Sequence, residues 1–86
     1  MYTTHTFNEV WGLAHNPWNP ERSVAGSSGG EAGLVASRCV VAGIGTDIGG
    51  SIRLPASFNG ICGFKPTSKR TSHDGCVMAS VTGEIK

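Results

Sequence analysis

The chain has 86 residues and a nearly balanced charge, with 7 Lys+Arg against 6 Asp+Glu and a formal net charge of +1. This balance excludes an electrostatic nucleic-acid binder and a polybasic membrane-binding protein as first interpretations, because no basic stripe or cluster is present. Thirteen glycines are roughly twice the usual ~7% share, and the hydrophobic content is only 38%. Such a sequence builds a thin core, so we expect a small protein or part of a larger domain.

The cysteines and histidines form none of the spacings that disulfide frameworks or metal sites use. Cys39, Cys62 and Cys76 are odd in number and include no CxxC pair. We therefore expect free thiols and no metal site. No signal peptide is visible, and no apolar run approaches the ~20 residues that span a bilayer. A cytoplasmic location is the favoured expectation.

The N-terminal third predicts little regular structure before one short helix. Residues 1–25 are expected to be irregular, because an Asn-Pro-Trp-Asn-Pro segment within them fixes turns. A loop of small residues follows at 26–30. Residues 31–38 then have the composition of a short helix. Ser28 and Glu31 have the capping-box spacing, which predicts that the Ser28 side chain caps this helix.

The remaining elements predict an α/β fold. The β-branched run 40–45 is typical of a strand covered on both faces, and 46–50 is expected to be a tight turn. A second short helix is predicted over Pro55–Asn59, ending at Gly60, and a second strand over 61–64. The order is loop, helix, strand, turn, helix, strand. A strand covered on both faces needs neighbours that this chain barely supplies, so we expect part of a larger domain.

Two loops of small residues could carry chemistry, namely Ser27-Ser28-Gly29-Gly30 and Gly49-Gly50-Ser51. The glycines of the second loop allow backbone N–H groups to converge beside a serine, which is the geometry that acyl transfer needs. From the tripeptide alone, a plain Gly-Gly turn with a solvated serine remains the favoured alternative. We expect the helix face 34–36 to pack on the strand 40–44, which would bring both loops to the same end of that strand.

The longer pattern is more specific than either loop. Residues 26–31, 45–56 and 60–67, with the spacing between them, resemble the amidase-signature family, and the resemblance covers about residues 16–76. The Asn-Pro-Trp-Asn-Pro segment and Glu31 are most similar to the fatty-acid amide hydrolase branch. The resemblance implies a mixed sheet flanked by helices, with residues 1–86 forming one partial amidase domain and no second domain.

The resemblance also implies a Ser–cis-Ser–Lys triad. Ser51 matches the acylated nucleophile, and Ser27 matches the bridging serine, whose backbone lies at a cis peptide in the family. The backbone donors of the oxyanion hole match Ile48, Gly49, Gly50 and Ser51. Supporting polar positions match Ser28, Asp47 and Arg53, for which an N-cap, a turn residue and a surface charge remain the alternatives.

The third member of the triad has no counterpart in this sequence. In the family, a lysine upstream of the bridging serine is the general base, whereas the lysines here are at positions 65, 69 and 86, all downstream. We therefore expect part of an enzyme that hydrolyses a small-molecule amide through a serine acyl-enzyme, inactive as the isolated chain. The alternatives are the transamidating subunit of an aminoacyl-tRNA amidotransferase, which Glu31 and the Asn-Pro-Trp-Asn run argue against, and a non-catalytic remnant. The resemblance implies no cofactor, and neither a nucleic-acid partner nor a membrane segment is expected.

Overall fold

A computed structural model describes residues 4–76 of the chain. The elements in chain order are two strands and two helices: β1 (Phe7–Asn8), β2 (Gly12–Leu13), α1 (Gly29–Ala36) and α2 (Arg53–Asn59). The two helices pack against each other. Within the described residues, no helix is long and apolar enough to cross a membrane.

The N-terminal strands form an antiparallel hairpin, in which Phe7 pairs with Leu13. The Asn8 side chain organises the turn, since its Oδ1 accepts hydrogen bonds from the N–H groups of Val10 and Trp11 at 3.0 and 2.7 Å. The expectation that residues 1–25 are irregular is therefore wrong over this stretch. Strands of two residues are too short to show an alternating pattern in the sequence.

Helix α1 begins and ends two residues before the predicted helix. Ser28 is its N-cap residue but makes no side-chain capping hydrogen bond, so the predicted capping box is wrong. The Ser28 Oγ is instead engaged with the backbone of Thr46, at 3.2 Å from its nitrogen and 3.4 Å from its oxygen. A contact 18 residues away in the chain has replaced a local one.

Helix α2 begins two residues before the predicted helix and ends where it was predicted to end. Gly60 follows it with φ 67° and ψ 33°, a left-handed conformation that glycine adopts without steric cost. The last carbonyls of α2 are satisfied from the N-terminal segment. Asn16 Nδ2 donates to the carbonyl oxygen of Phe58 at 2.8 Å, and Trp18 Nε1 donates to that of Asn59 at 2.8 Å.

The core is small and built mostly of small side chains. Its buried hydrophobic members are Val24, Ala25, Ala32, Ala36 and Ala56. Asn59 is also completely buried, and its Nδ2 donates to the carbonyl oxygens of Val24 and Pro55 at 2.9 and 2.7 Å. The core therefore lies where the two helices meet the segment that precedes Ser27.

The two predicted strands, 40–45 and 61–64, are wrong, because neither forms a ladder in the described part of the chain. No strand within residues 4–76 lies beside them to exchange backbone hydrogen bonds. The predicted packing of 34–36 on 40–44 is also wrong, because Val41 is 101% exposed and Ile44 is 92% exposed. Likewise, the described residues contain no mixed sheet, only the N-terminal hairpin.

Candidate active site

The two serine loops lie side by side, one immediately before each helix. Ser27 and Ser28 precede α1, whereas Ser51 precedes α2 by two residues. The N–H of Ser28 donates to the carbonyl oxygen of Ser51 at 3.1 Å. The structure thus brings together two loops that are 24 residues apart in the sequence (51 − 27), although the strand expected to align them is absent from the described residues.

The first loop has two unusual backbone features. The Gly26–Ser27 peptide bond is cis, and Ala25 has φ 62°. The loop also approaches its neighbour closely at Gly45, where a Cβ atom would lie 2.6 Å from the Ser28 Oγ. Glycine at position 45 therefore leaves room for the Ser28 hydroxyl to reach Thr46.

The second loop is organised by the Asp47 carboxylate, whose side chain is 1% exposed. Its Oδ1 accepts a hydrogen bond from the N–H of Gly50 at 2.8 Å. Its Oδ2 accepts from the N–H groups of Ile52 and Arg53 at 3.1 and 3.2 Å. Asp47 therefore satisfies free N–H groups at the start of α2, although it lies outside the helix.

Two cations complete the surroundings of Asp47. Arg53 donates from Nε and Nη2 to the two carboxylate oxygens, each at 3.0 Å, and Lys65 Nζ lies 3.6 Å from Oδ1. The hydrogen bond from Arg53 holds the pKa of Asp47 well below its usual range, and the three backbone N–H groups lower this pKa further, while burial opposes them. Asp47 in turn raises the pKa of Arg53. The carboxylate is ionised at neutral pH.

The N–H groups around Ser51 do not all point the same way. That of Gly50 donates to Asp47 and is therefore already occupied. The carbonyl oxygen of Gly50 accepts a hydrogen bond from the N–H of Leu54 at 2.7 Å. Because C=O and N–H of a trans peptide point in opposite directions, the N–H of Ser51 is turned away from α2.

Lys65 orients a second peptide group, the one between Ile48 and Gly49, since its Nζ donates to the carbonyl oxygen of Ile48 at 3.5 Å. By the same trans-peptide geometry, the N–H of Gly49 points away from Lys65. Within residues 4–76, three of the four N–H groups expected in an oxyanion hole have no hydrogen-bond partner: those of Ile48, Gly49 and Ser51.

The hydroxyls of Ser27 and Ser51 also make no hydrogen bond within residues 4–76, either to each other or to another group, and both residues are half-buried. Sequence reasoning missed Thr6, whose Oγ1 donates to the carbonyl oxygen of Ala25 at 2.9 Å, and the contacts of Lys65. No local signal marks Thr6, which lies in a segment expected to be irregular. A cavity of about 220 Å³ lies elsewhere, against the C-terminal end of α1, and Trp18 and Arg38 are among its lining residues.

Comparison with known proteins gives one consistent family. The family model described as Amidase matches residues 1–84. Fatty-acid amide hydrolase 1 of Sus scrofa is 47% identical over 85 residues, which are 99% of this chain and 14% of that protein. A glutamyl-tRNA(Gln) amidotransferase subunit of Lactobacillus johnsonii is 54% identical over 72 residues, 84% of this chain and 15% of that protein.

A third relative, Amidase 1 of Gibberella moniliformis, is 50% identical over 74 residues, 86% of this chain and 14% of that protein. This chain therefore spans about one seventh of the length of the curated relatives that it matches. No solved structure matches it.

Proposed function

This chain belongs to the amidase family, and we propose that it carries the nucleophile side of an amide-hydrolysing active site. In this proposal Ser51 Oγ attacks the carbonyl carbon of a small-molecule amide, its proton passes to the Ser27 oxygen, and the hydroxyl proton of Ser27 passes on to a general base. The C–N bond of the tetrahedral intermediate then breaks, and Ser27 delivers a proton to the departing amine. Water hydrolyses the resulting Ser51 ester and regenerates the hydroxyl.

The observation that carries this proposal is the 3.1 Å hydrogen bond from the N–H of Ser28 to the carbonyl oxygen of Ser51. It joins the backbones of the two loops at the residues that adjoin or contain the proposed catalytic serines. A proton relay needs two hydroxyls within about 2.6–3.2 Å at the time of transfer, which requires their backbones to be neighbours.

We propose Ile48, Gly49 and Ser51 as the oxyanion-hole donors, because their N–H groups are free of partners within the described residues. Gly50, the fourth expected donor, acts through its bond to Asp47, which fixes the curvature of the loop. Ser28, Asp47 and Arg53 act as supporting residues that shape the two loops. Preorganised backbone donors of this kind stabilise the negative charge of the intermediate without reorganising.

The general base in this proposal is a lysine supplied from outside these 86 residues, because no lysine precedes Ser27. The exposed apolar side chains support the proposal that this chain is part of a larger domain. Val41, Ile44 and Phe64 are 101%, 92% and 77% exposed, whereas the buried hydrophobic residues are one valine and four alanines. Large apolar side chains that are exposed and not part of the core are typical of a surface that another part of a protein covers.

Amidotransfer is the second candidate function, since a tRNA amidotransferase subunit is 54% identical over 72 residues. Both reactions form the same acyl-enzyme, which water hydrolyses, and differ in whether the released amine departs into solution or is passed, as ammonia, to a second substrate. The residues of this chain act before that branch point. The proposed roles of Ser51 and Ser27 are therefore the same for either function.

An activated ester tests the identity of the nucleophile. Because p-nitrophenyl acetate has a good leaving group, we expect it to acetylate Ser51 even without the lysine, and deacylation to be slow. Peptide mapping should find an acetyl ester on Ser51, beside acetyl groups on the free, exposed thiols of the three cysteines and on amines. The ester should be absent from Ser51→Ala and retained in Ser57→Ala, whose serine is exposed on α2. Acetylation that spares Ser51 in the wild-type chain contradicts the proposal.

An anilide assay tests the separate claim that the base is missing. An anilide has a poor leaving group, and general-base help contributes about 10²–10⁴-fold, so the isolated chain should give no measurable turnover. Turnover that Ser51→Ala abolishes would show that a residue of this chain replaces the lysine. The nucleophile assignment would then stand, while the claim of an external base would be withdrawn.

A further inference from the structure

We propose that Thr6 is a positioning residue for Ser27, and that its hydroxyl acts by joining the two ends of the Ser27 loop, residues 25–29. The inference deepens the proposed function and rests on it, because Ser27 has a catalytic role only there. Thr6 lies 21 residues before Ser27 in the sequence (27 − 6), next to the N-terminal hairpin.

Two hydrogen bonds carry the proposal. The Thr6 Oγ1 donates to the carbonyl oxygen of Ala25 at 2.9 Å and accepts from the N–H of Gly29 at 3.1 Å. A hydroxyl can donate and accept at once, so one side chain satisfies both backbone groups. Ala25 and Gly29 flank the segment Gly26-Ser27-Ser28, and the Thr6 hydroxyl therefore bridges it.

The surroundings of Gly29 support the same conclusion. A Cβ atom at position 29 would overlap the Thr6 Oγ1 and would lie 2.7 Å from a methyl carbon of Val24. Gly29 is buried, so the space that a side chain would fill is occupied by the threonine hydroxyl. Glycine at this position thus permits the hydroxyl to reach the first turn of α1.

Thr6 is itself held in place by the hairpin. Its carbonyl oxygen accepts a hydrogen bond from the N–H of Ala14 at 2.9 Å, which extends the pairing beyond β1 and β2. The hairpin therefore fixes the Thr6 backbone, and Thr6 fixes both ends of the Ser27 loop. Ser28 holds the middle of that loop against Ser51 and Thr46. Together these contacts set the position from which Ser27 would relay a proton.

Three substitutions distinguish the effect of the Thr6 hydroxyl from the effects of side-chain shape and of general stability. Thr6→Val keeps the shape and removes the hydroxyl, whereas Thr6→Ser keeps the hydroxyl. Ser37→Ala is the matched control, because the Ser37 Oγ donates at the other end of α1, to the carbonyl oxygens of Gly33 and Leu34 at 2.7 and 3.2 Å. Each chain is labelled with ¹⁵N and ¹³C and compared by NMR and urea unfolding.

In Thr6→Val we expect the Gly29 amide to exchange with solvent about five- to tenfold faster, relative to any change in global unfolding, because its acceptor is lost. The amide and Cβ resonances of Ser27 should move as well. Thr6→Ser should restore both signals, and Ser37→Ala should leave both in place even if it lowers stability. Unchanged Ser27 resonances in a folded Thr6→Val chain overturn the proposal.

If Thr6→Val does not fold, the proposal is tested on Thr6→Ser and the wild-type chain. The proposal requires the Gly29 amide to exchange more slowly than that of Gly30, the next first-turn amide, in both chains. Equal exchange rates would overturn it. These signals do not depend on Ser51 reactivity. If Ser51 fails to be acetylated while the Thr6 results hold, the proposed function is wrong and the bridge is purely structural.

Discussion

The Asp47 carboxylate links the charge of the site to its shape. It is almost completely buried, yet it is ionised, since three backbone N–H groups and two cations surround it. A buried carboxylate with this many donors is stable because its lost hydration is replaced by hydrogen bonds. The three N–H groups belong to the loop and helix that hold Ser51, so the charge of Asp47 fixes the backbone around the proposed nucleophile.

Asp47→Asn is predicted to destabilise the chain at neutral pH and to have less effect in acid. Because the pKa of Asp47 is lowered on folding, its carboxylate stabilises the folded chain above the unfolded pKa of about 3.9. This contribution is lost progressively as the pH falls through that value toward the folded pKa. Urea unfolding of both chains between pH 7 and pH 3 measures the difference.

The control for this pH series is Asp74→Asn, which removes an exposed carboxylate that forms no ion pair within the described residues. A difference between wild type and Asp47→Asn that stays constant from pH 7 to pH 3 would contradict the assigned role. The difference in stability is expected to shrink in acid because folding lowers the pKa of Asp47, so that only the ionised carboxylate stabilises the folded chain.

Both helices end in the same hydrogen-bonding motif, with different residues at the left-handed position. After α1, Arg38 has φ 61°, and the N–H groups of Arg38 and Cys39 donate to the carbonyls of Val35 and Leu34. After α2, Gly60 occupies the equivalent position. This is the Schellman arrangement, in which glycine is usual because a Cβ atom is strained at positive φ.

Arg38→Gly is therefore predicted to stabilise the chain, by up to about 1 kcal/mol, and Gly60→Ala to destabilise it by about 1 kcal/mol. The left-handed strain of about 1–2 kcal/mol is relieved in the first case and created in the second, while the flexibility of glycine in the unfolded chain offsets part of each. Urea unfolding measures both. Opposite signs are expected, and a loss of stability in both would contradict the account.

The helices could be predicted because their signals are local. The stop at Gly60 depends on one residue, and the composition of 31–38 located α1 to within two residues at each end. The strands could not, because a strand is stabilised by partners elsewhere, and none lies beside 40–45 or 61–64 in the described part of the chain. Composition indicated a strand whose partners this structure does not supply.

The candidate site likewise contains some features that could be predicted from the sequence and others that could not. The Gly-Gly-Ser sequence and the neighbouring Asp47 and Arg53 are close in the chain, so their association could be expected from spacing and from the family resemblance. The bond of Ser28 to Thr46 could not be expected, because a local capping box competes with it in the sequence. The bridge from Thr6 spans about twenty residues and is set by the fold of the hairpin.

At the scale of the whole molecule, the described residues reverse the burial pattern of an ordinary domain, in which large apolar side chains are buried. The buried hydrophobic residues are small, while five of the exposed ones are large aromatics: Phe7, Trp11, Trp18, Phe58 and Phe64. The described part is therefore also held by hydrogen bonds that Asn16 and Asn59 donate and that Asp47 accepts, since its buried hydrophobic residues are few and small. The bonds to Asp47 hold the Ser51 loop, and those of Asn16 and Asn59 tie the segment before Ser27 to the C-terminal end of α2.

The central claim is that Ser27 and Ser51 work as one unit. The most direct test is the rate at which p-nitrophenyl acetate acetylates Ser51 in the wild-type chain, in Ser27→Ala and in the Ser37→Ala control, each shown to be folded. The account predicts that Ser27→Ala slows this reaction by about tenfold or more, because the hydroxyl that passes the Ser51 proton on to solvent water in the absence of the lysine is lost, while Ser37→Ala reacts at the wild-type rate. Acetylation of Ser51 in Ser27→Ala at the wild-type rate would contradict it.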